Sequence, residues 1–227
     1  MTSFVLIPGA GGAASYWRRV VPELEARGHE AVAVELPSGD PVAGLAEYAD
    51  TVVAAVGDRT DVVLVAQSMG GLTAPLVARR VPIRLVVMLN AMAPRPGESG
   101  GEWWEATGQA KAAEEYAASG GWDVQDFMEV FFHDVPADVR DEVLAEGEID
   151  QSDTPFGSPW PDLDPVFPPD VPVRVLQGRE DRLFPLEFQR ELAWERLGVQ
   201  LDEVPGGHLV ALSRPVELVE RLVSYLS

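Results

Sequence analysis

Residues 62–71 read Val-Val-Leu-Val-Ala-Gln-Ser-Met-Gly-Gly, and few folds accommodate such a run. The apolar stretch suits a strand buried on both faces, and a helix-compatible segment, Leu72 to Arg80, follows with no room for a loop. The chain must therefore turn sharply at Ser68. A serine at such a turn occupies strained backbone, so the residues two before and two after it must be small. Here they are Ala66 and Gly70. The pattern predicts a strand-to-helix elbow that holds Ser68 as a nucleophile, with the amide of Met69 beside it.

A second feature lies at the N-terminus. Ser3 to Ile7 is a short apolar run with the look of a buried parallel strand, and it ends in Pro8-Gly9-Ala10-Gly11-Gly12. A helical segment follows through about Arg27, with Trp17, Val20, Val21 and Leu24 as its apolar face. The amides of this bare loop, Ala10 first among them, are placed to bind an oxyanion together with that of Met69. A dinucleotide-binding loop is the competing reading. The glycines here do not fall in the G-x-G-x-x-G register that such a loop needs.

A third feature lies near the C-terminus. The strand-like run Val171 to Leu176 is followed by Gln177-Gly178-Arg179-Glu180-Asp181, and the run Val199 to Val204 by Pro205-Gly206-Gly207-His208. An acid after one strand and a histidine after the next complete the chain order Ser, Asp, His. A histidine base needs a carboxylate to fix its tautomer and to stabilise the imidazolium. Asp181 is better spaced than Glu180 for this role, because Gly178 lets the loop turn first.

On these residues the chain resembles an α/β-hydrolase from its first strand to its last helix, most closely the small methylesterase and hydroxynitrile-lyase group. The run from His208 to Leu218 is similar to the esterase branch. Two departures stand out. The oxyanion loop of that group usually begins His-Gly, where this chain has Pro8-Gly9. The lyase branch usually carries a lysine after its histidine, where this chain has Leu209; its single lysine is Lys111. The resemblance implies a six-stranded, mostly parallel sheet in the order 2-1-3-4-5-6, flanked by helices and bearing an inserted helical cap. Gly11, Met92 and Leu209 are the expected pocket residues.

Strand and helix alternate through residues 1–94, with strands near 3–7, 31–35, 61–66 and 84–90. From 95 to 169 the pattern changes to helix-like segments at Trp103–Ser119, Val124–Phe132 and Ala137–Glu146, then a proline-rich passage. Residues 1–94 and 170–227 are thus expected to form the core, and 95–169 a cap. The last part supplies two strands and helices near 186–197 and 214–226.

A chain of 227 residues suffices for one sizeable core. Its net charge of −20 disfavours nucleic acid as a partner, because no basic patch can neutralise phosphates. Without cysteine there is neither a disulfide nor a thiol nucleophile. No signal-like N-terminus or membrane-length apolar run is seen, so a cytoplasmic protein is expected, of open oligomeric state. His29 reads as a helix-end residue and His133 as a structural or pocket-lining residue of the cap. The acids Asp150, Asp153, Asp162, Asp164 and Asp170 lack regular ligand spacing and read as a solvated loop, with no metal site. The chemistry expected is ester hydrolysis of a small molecule by Ser68, His208 and Asp181 without a cofactor. Lactone, thioester, C–C bond or lyase chemistry on the same residues, or a ligand-binding receptor, are the alternatives.

Overall fold

The computed structural model describes residues 1–147 and 150–227. Six strands form one sheet: β1 (Ser3–Ile7), β2 (Glu30–Ala33), β3 (Val62–Gln67), β4 (Leu85–Leu89), β5 (Val173–Gly178) and β6 (Leu201–Val204). Their order is β2-β1-β3-β4-β5-β6, and every pairing is parallel.

The sheet is covered on both faces, which explains why its central strands read as continuous apolar runs. Side chains alternate between the faces. Val5, Ile7, Leu64, Ala66, Val86 and Met88 enter one cluster, with Tyr48 and Val52 of the helix Leu45–Val56 and Val77 of the helix Gly70–Ala78. Phe4, Leu6, Val63, Val65, Val87 and Leu89 enter the other, with Trp17, Leu24 and Leu218 from the segments that flank the opposite face.

Between β4 and β5 the described residues form helices at Gly100–Thr107, Gln109–Gly120, Phe127–Phe131, Ala137–Ala145 and Thr154–Gly157. The chain entering this stretch and the chain leaving it run side by side. Ser99 and Pro159 form an isolated antiparallel bridge, and Gly97 and Trp160 donate backbone hydrogen bonds to Trp160 and Glu98 at 2.9 Å. Residues 148 and 149 of this stretch lie outside the described residues.

Two expected helices are broken. The one at 103–119 is two, because Gly108 takes a left-handed conformation (φ 70°) that ends the first and begins the second. The segment 14–27 is a 3-10 turn, Ala14–Trp17, followed by Val21–Ala26 with a proline in its first turn. At the C-terminus the helix expected near 214–226 is found at Pro215–Ser224, where Pro215 lacks an N–H and starts the helix; a short helix, Val210–Ser213, precedes it.

Candidate active site

β1 and β3 are neighbours, and their following segments diverge across opposite faces of the sheet. Such a reversal leaves a crevice beyond the carboxyl ends of the strands. Ala10 and Ser68 follow those two ends. Ser68 has φ 52°, a left-handed conformation strained for a serine. The turn is held by Ser68 N–H donating to the Leu89 carbonyl at 3.1 Å and by the Met92 and Gly71 amides donating to the Ser68 carbonyl at 3.0 Å. Space explains the small residues: a Cβ on Gly70 would meet the Pro8 carbonyl at 2.7 Å, and one on Gly71 the Met92 carbonyl at 2.3 Å.

Three side chains are joined in series. Ser68 Oγ lies 3.1 Å from His208 Nε2, and His208 Nδ1 lies 2.8 Å from Asp181 Oδ2. Because a carboxylate can only accept, Nδ1 carries the hydrogen and Nε2 is left as the acceptor for the Ser68 hydroxyl. Asp181 is fully buried, yet its carboxylate is satisfied. Oδ1 accepts from the amides of Leu183 and Phe184 at 2.9 Å each, and Oδ2 also accepts from Gln177 Nε2 at 3.0 Å. Glu180 is engaged elsewhere: its carboxylate accepts from Gly206 N–H at 2.5 Å. The rings of Phe131 and Phe184 stand edge-on to His208 at 5.5 and 5.2 Å, screening it from water.

Asn90 and Gln177 hold this series in place, and the sequence reading passed over both. Asn90, at φ 45° just past β4, donates from Nδ2 to the carbonyls of Gly207 and His208 at 3.1 and 3.0 Å. Its Oδ1 accepts from Gly178 N–H at 2.7 Å. One carboxamide thus ties the loop after β6 to the end of β5. A polar residue closing an otherwise apolar strand, Val-Val-Met-Leu-Asn, was the available signal; Gln177, ending Val-Arg-Val-Leu-Gln, repeats it.

A cavity of about 230 Å³ opens on Ser68 and His208. Phe127, Phe131, Phe132 and Val143 of the insert roof it, and Ala10, Leu209 and Leu212 of the core complete an apolar wall. Arg18, Ser15 and Glu146 stand at the same cavity, where Arg18 pairs with Glu146 at 2.6 Å and with Glu142 at 3.4 Å. Hydrogen bonding to Arg18 holds the Glu146 carboxyl below its ordinary range. Burial pushes the phenol of Tyr16, also in the wall, far above its own.

Of the expected pocket residues, Leu209 lines the cavity, whereas Gly11 and Met92 are drawn away from it. Gly11 is tied up by its backbone: its N–H donates to Gln151 Oε1 and its carbonyl accepts from Ser38 Oγ, both at 2.8 Å. Met92 is 1% exposed and belongs to the core beneath the elbow. His133 packs against Gly207 rather than Ser68: a Cβ on Gly207 would meet its Cε1 at 2.7 Å. Among the described residues, no three His, Cys, Asp or Glu side chains gather in a way that could hold a metal ion. No helix among them is long and apolar enough to cross a membrane.

A parallel sheet in this order, a strained serine after its third strand and a histidine–aspartate pair after its last two define an α/β-hydrolase. The chain belongs to that family: the alpha/beta hydrolase family model matches residues 4–221. A probable esterase of Oryza sativa subsp. indica, PIR7A, is 38% identical over 109 residues, covering 42% of this chain and 41% of that protein. The chain thus spans about two fifths of that relative's length. A pyrethroid hydrolase of Sphingobium wenxiniae is 27% identical over 99% of this chain and 88% of its own. Among solved structures, a pyrethroid hydrolase from Sphingobium faniae JZ-2 superposes with a TM-score of 0.77 at 23% identity, covering 99% of this chain and 96% of that one. The resemblance to small esterases read from the motifs is met by these relatives.

Proposed function

We propose that this protein is a serine hydrolase that cleaves carboxylic esters of small to medium, partly hydrophobic substrates through an acyl-enzyme. The observation that carries this reading is the hydrogen-bonded series Ser68–His208–Asp181, opening on an apolar cavity of about 230 Å³. Residues 1–94 and 170–227 act as the catalytic core, and 95–169 as the cap that roofs it.

The chemistry follows from the tautomer. His208 Nε2 takes the Ser68 proton while Oγ attacks the ester carbonyl carbon, and Asp181 balances the imidazolium. The oxyanion is received by the amides of Ala10 and Met69; each such donor contributes about 3 kcal/mol to transition-state stability. His208 then protonates the departing alkoxide. Water enters and His208 removes its proton as the oxygen bonds to the acyl carbon; the imidazolium then returns that proton to Ser68 Oγ as the C–O bond breaks and the acid leaves. Only protein groups and water take part. The lack of a cation at Leu209 weighs against the lyase reaction.

Hydrolysis of p-nitrophenyl esters from acetate to dodecanoate tests this reading, with Ser68→Ala run alongside. Activity that peaks at short to medium acyl chains and disappears in the variant supports it. No Ser68-dependent turnover of any ester refutes it, in favour of other acyl chemistry or a receptor.

A further inference from the structure

The His208 ring has one polar neighbour that the mechanism above leaves idle. Gln67, immediately before Ser68, is only 3% exposed. Its Nε2 lies 3.2 Å from His208 Nε2 and 3.5 Å from the His208 carbonyl oxygen. This orientation of the amide follows from its surroundings. His208 Nδ1–H is committed to Asp181, so Nε2 is a bare lone pair, and the backbone carbonyl is an acceptor too. An NH₂ group, with two hydrogens, matches both. The amide oxygen is turned towards Gly9, where a Cβ would stand 2.4 Å from Gln67 Oε1. The elbow itself requires small residues only at 66 and 70, so nothing in its sterics demands an amide at 67.

We propose that Gln67 is a positioning residue: it donates to His208 Nε2 and holds the ring with that nitrogen turned to Ser68. The proposal rests on the serine-hydrolase reading. Two donors, Ser68 Oγ–H at 3.1 Å and the Gln67 amide at 3.2 Å, share one lone pair. In the attack step the Ser68 O–H bond breaks, the proton goes to Nε2, and the oxygen's electron pair forms the bond to the carbonyl carbon. The Gln67 N–H then faces another N–H and must turn aside, so its hydrogen bond favours the neutral ring over the protonated one. Gln67 neither gains nor loses a proton.

Other titratable groups surround this histidine. Asp181 holds Nδ1, Tyr16 stands in the same cavity, His133 and Asp134 of the insert press on Gly207, and Glu180 binds Gly206. Substitution at Gln67 leaves all of them in the chain, so a change in the pH profile reports on the amide.

The test is the pH dependence of kcat/KM on p-nitrophenyl butyrate for the wild type, Gln67→Leu and the near-isosteric Gln67→Glu, with folding checked by circular dichroism. Gln67→Leu removes the donor, and the acid-limb midpoint is expected to rise by up to about one pH unit, roughly a tenfold loss of rate below the wild-type midpoint. Gln67→Glu sets a carboxylate against the imidazolium, and the midpoint is expected to rise further. A midpoint that stays in place or falls in Gln67→Leu overturns the proposal; where Gln67→Leu does not fold, Gln67→Met, which keeps the length of the side chain and loses its N–H, decides on the same reading. Turnover that survives Ser68→Ala overturns the serine-hydrolase reading and this proposal with it, a result distinct from an unmoved acid limb.

Discussion

Replacing Asn90 by alanine removes one carboxamide and strands three backbone groups. The Gly178 N–H loses its acceptor at 2.7 Å, and the carbonyls of Gly207 and His208 lose donors at 3.1 and 3.0 Å. Asn90 is 0% exposed, so water cannot replace these partners without entering the core. An unpaired buried polar group costs about 1–3 kcal/mol, and an alanine at φ 45° adds about 1 kcal/mol that asparagine tolerates better. The two carbonyls fall at the low end, so the sum is about 4–6 kcal/mol. For a chain of this size that lowers the thermal midpoint by roughly 8–24 °C. The same substitution releases the backbone of His208, so kcat should fall at temperatures where the protein is still folded. Thermal unfolding followed by circular dichroism, with ester turnover measured at 15 °C, checks both. A midpoint within about 2 °C of the wild type, together with unchanged kcat, would refute the role given to Asn90.

Three further sets of substitutions probe the same frame. Asp181→Asn should lower kcat by roughly 10⁴-fold, since an amide cannot fix the His208 tautomer, whereas Glu180→Gln should retain most activity; the reverse ranking in steady-state assays would identify Glu180 as the partner acid. Gly71→Ala places a methyl 2.3 Å from the Met92 carbonyl and should lose several degrees of thermal midpoint or all soluble protein, while Gly157→Ala, with open space around it, should not. The Glu146 carboxyl lies below its ordinary value of 4.5 when folded, so its contact with Arg18 stabilises fully above that value and is lost as pH falls through the lowered one. The thermal-midpoint difference between wild type and Glu146→Gln, under about 1 kcal/mol for so exposed a pair, should therefore shrink between pH 6 and 3; a constant difference would rule this contact out as the cause.

Much of this arrangement was legible in the chain because local physics dictates it. A sheet buried on both faces writes apolar runs, and an elbow forces small residues at 66 and 70, so the strands and the turn at Ser68 can be read locally. The strand order came from the family resemblance, and the observed order agrees with it. Helix ends were harder to read. The left-handed break at Gly108 sits inside a stretch that is otherwise a good helix former, and one glycine costs a helix too little to reveal a break. The residues that hold the site were least visible. Gln67, Asn90 and Gln177 are single polar residues at strand ends, and the partners of the first two are 88 to 141 positions away. Periodicity carries no record of such contacts. Gly11 and Met92 were expected at the pocket on proximity in sequence, but the backbone of one and the core packing of the other turn them elsewhere.

Ser68 Oγ is the atom that must bond to substrate if this protein is a serine hydrolase. Incubating the protein with a fluorophosphonate and mapping the adduct by mass spectrometry reads that claim without knowledge of the natural ester. The expected result is one phosphonyl group on the peptide containing Ser68, absent in Ser68→Ala and formed far more slowly in His208→Ala. An unmodified Ser68 in folded protein, or an adduct on another residue, would contradict it.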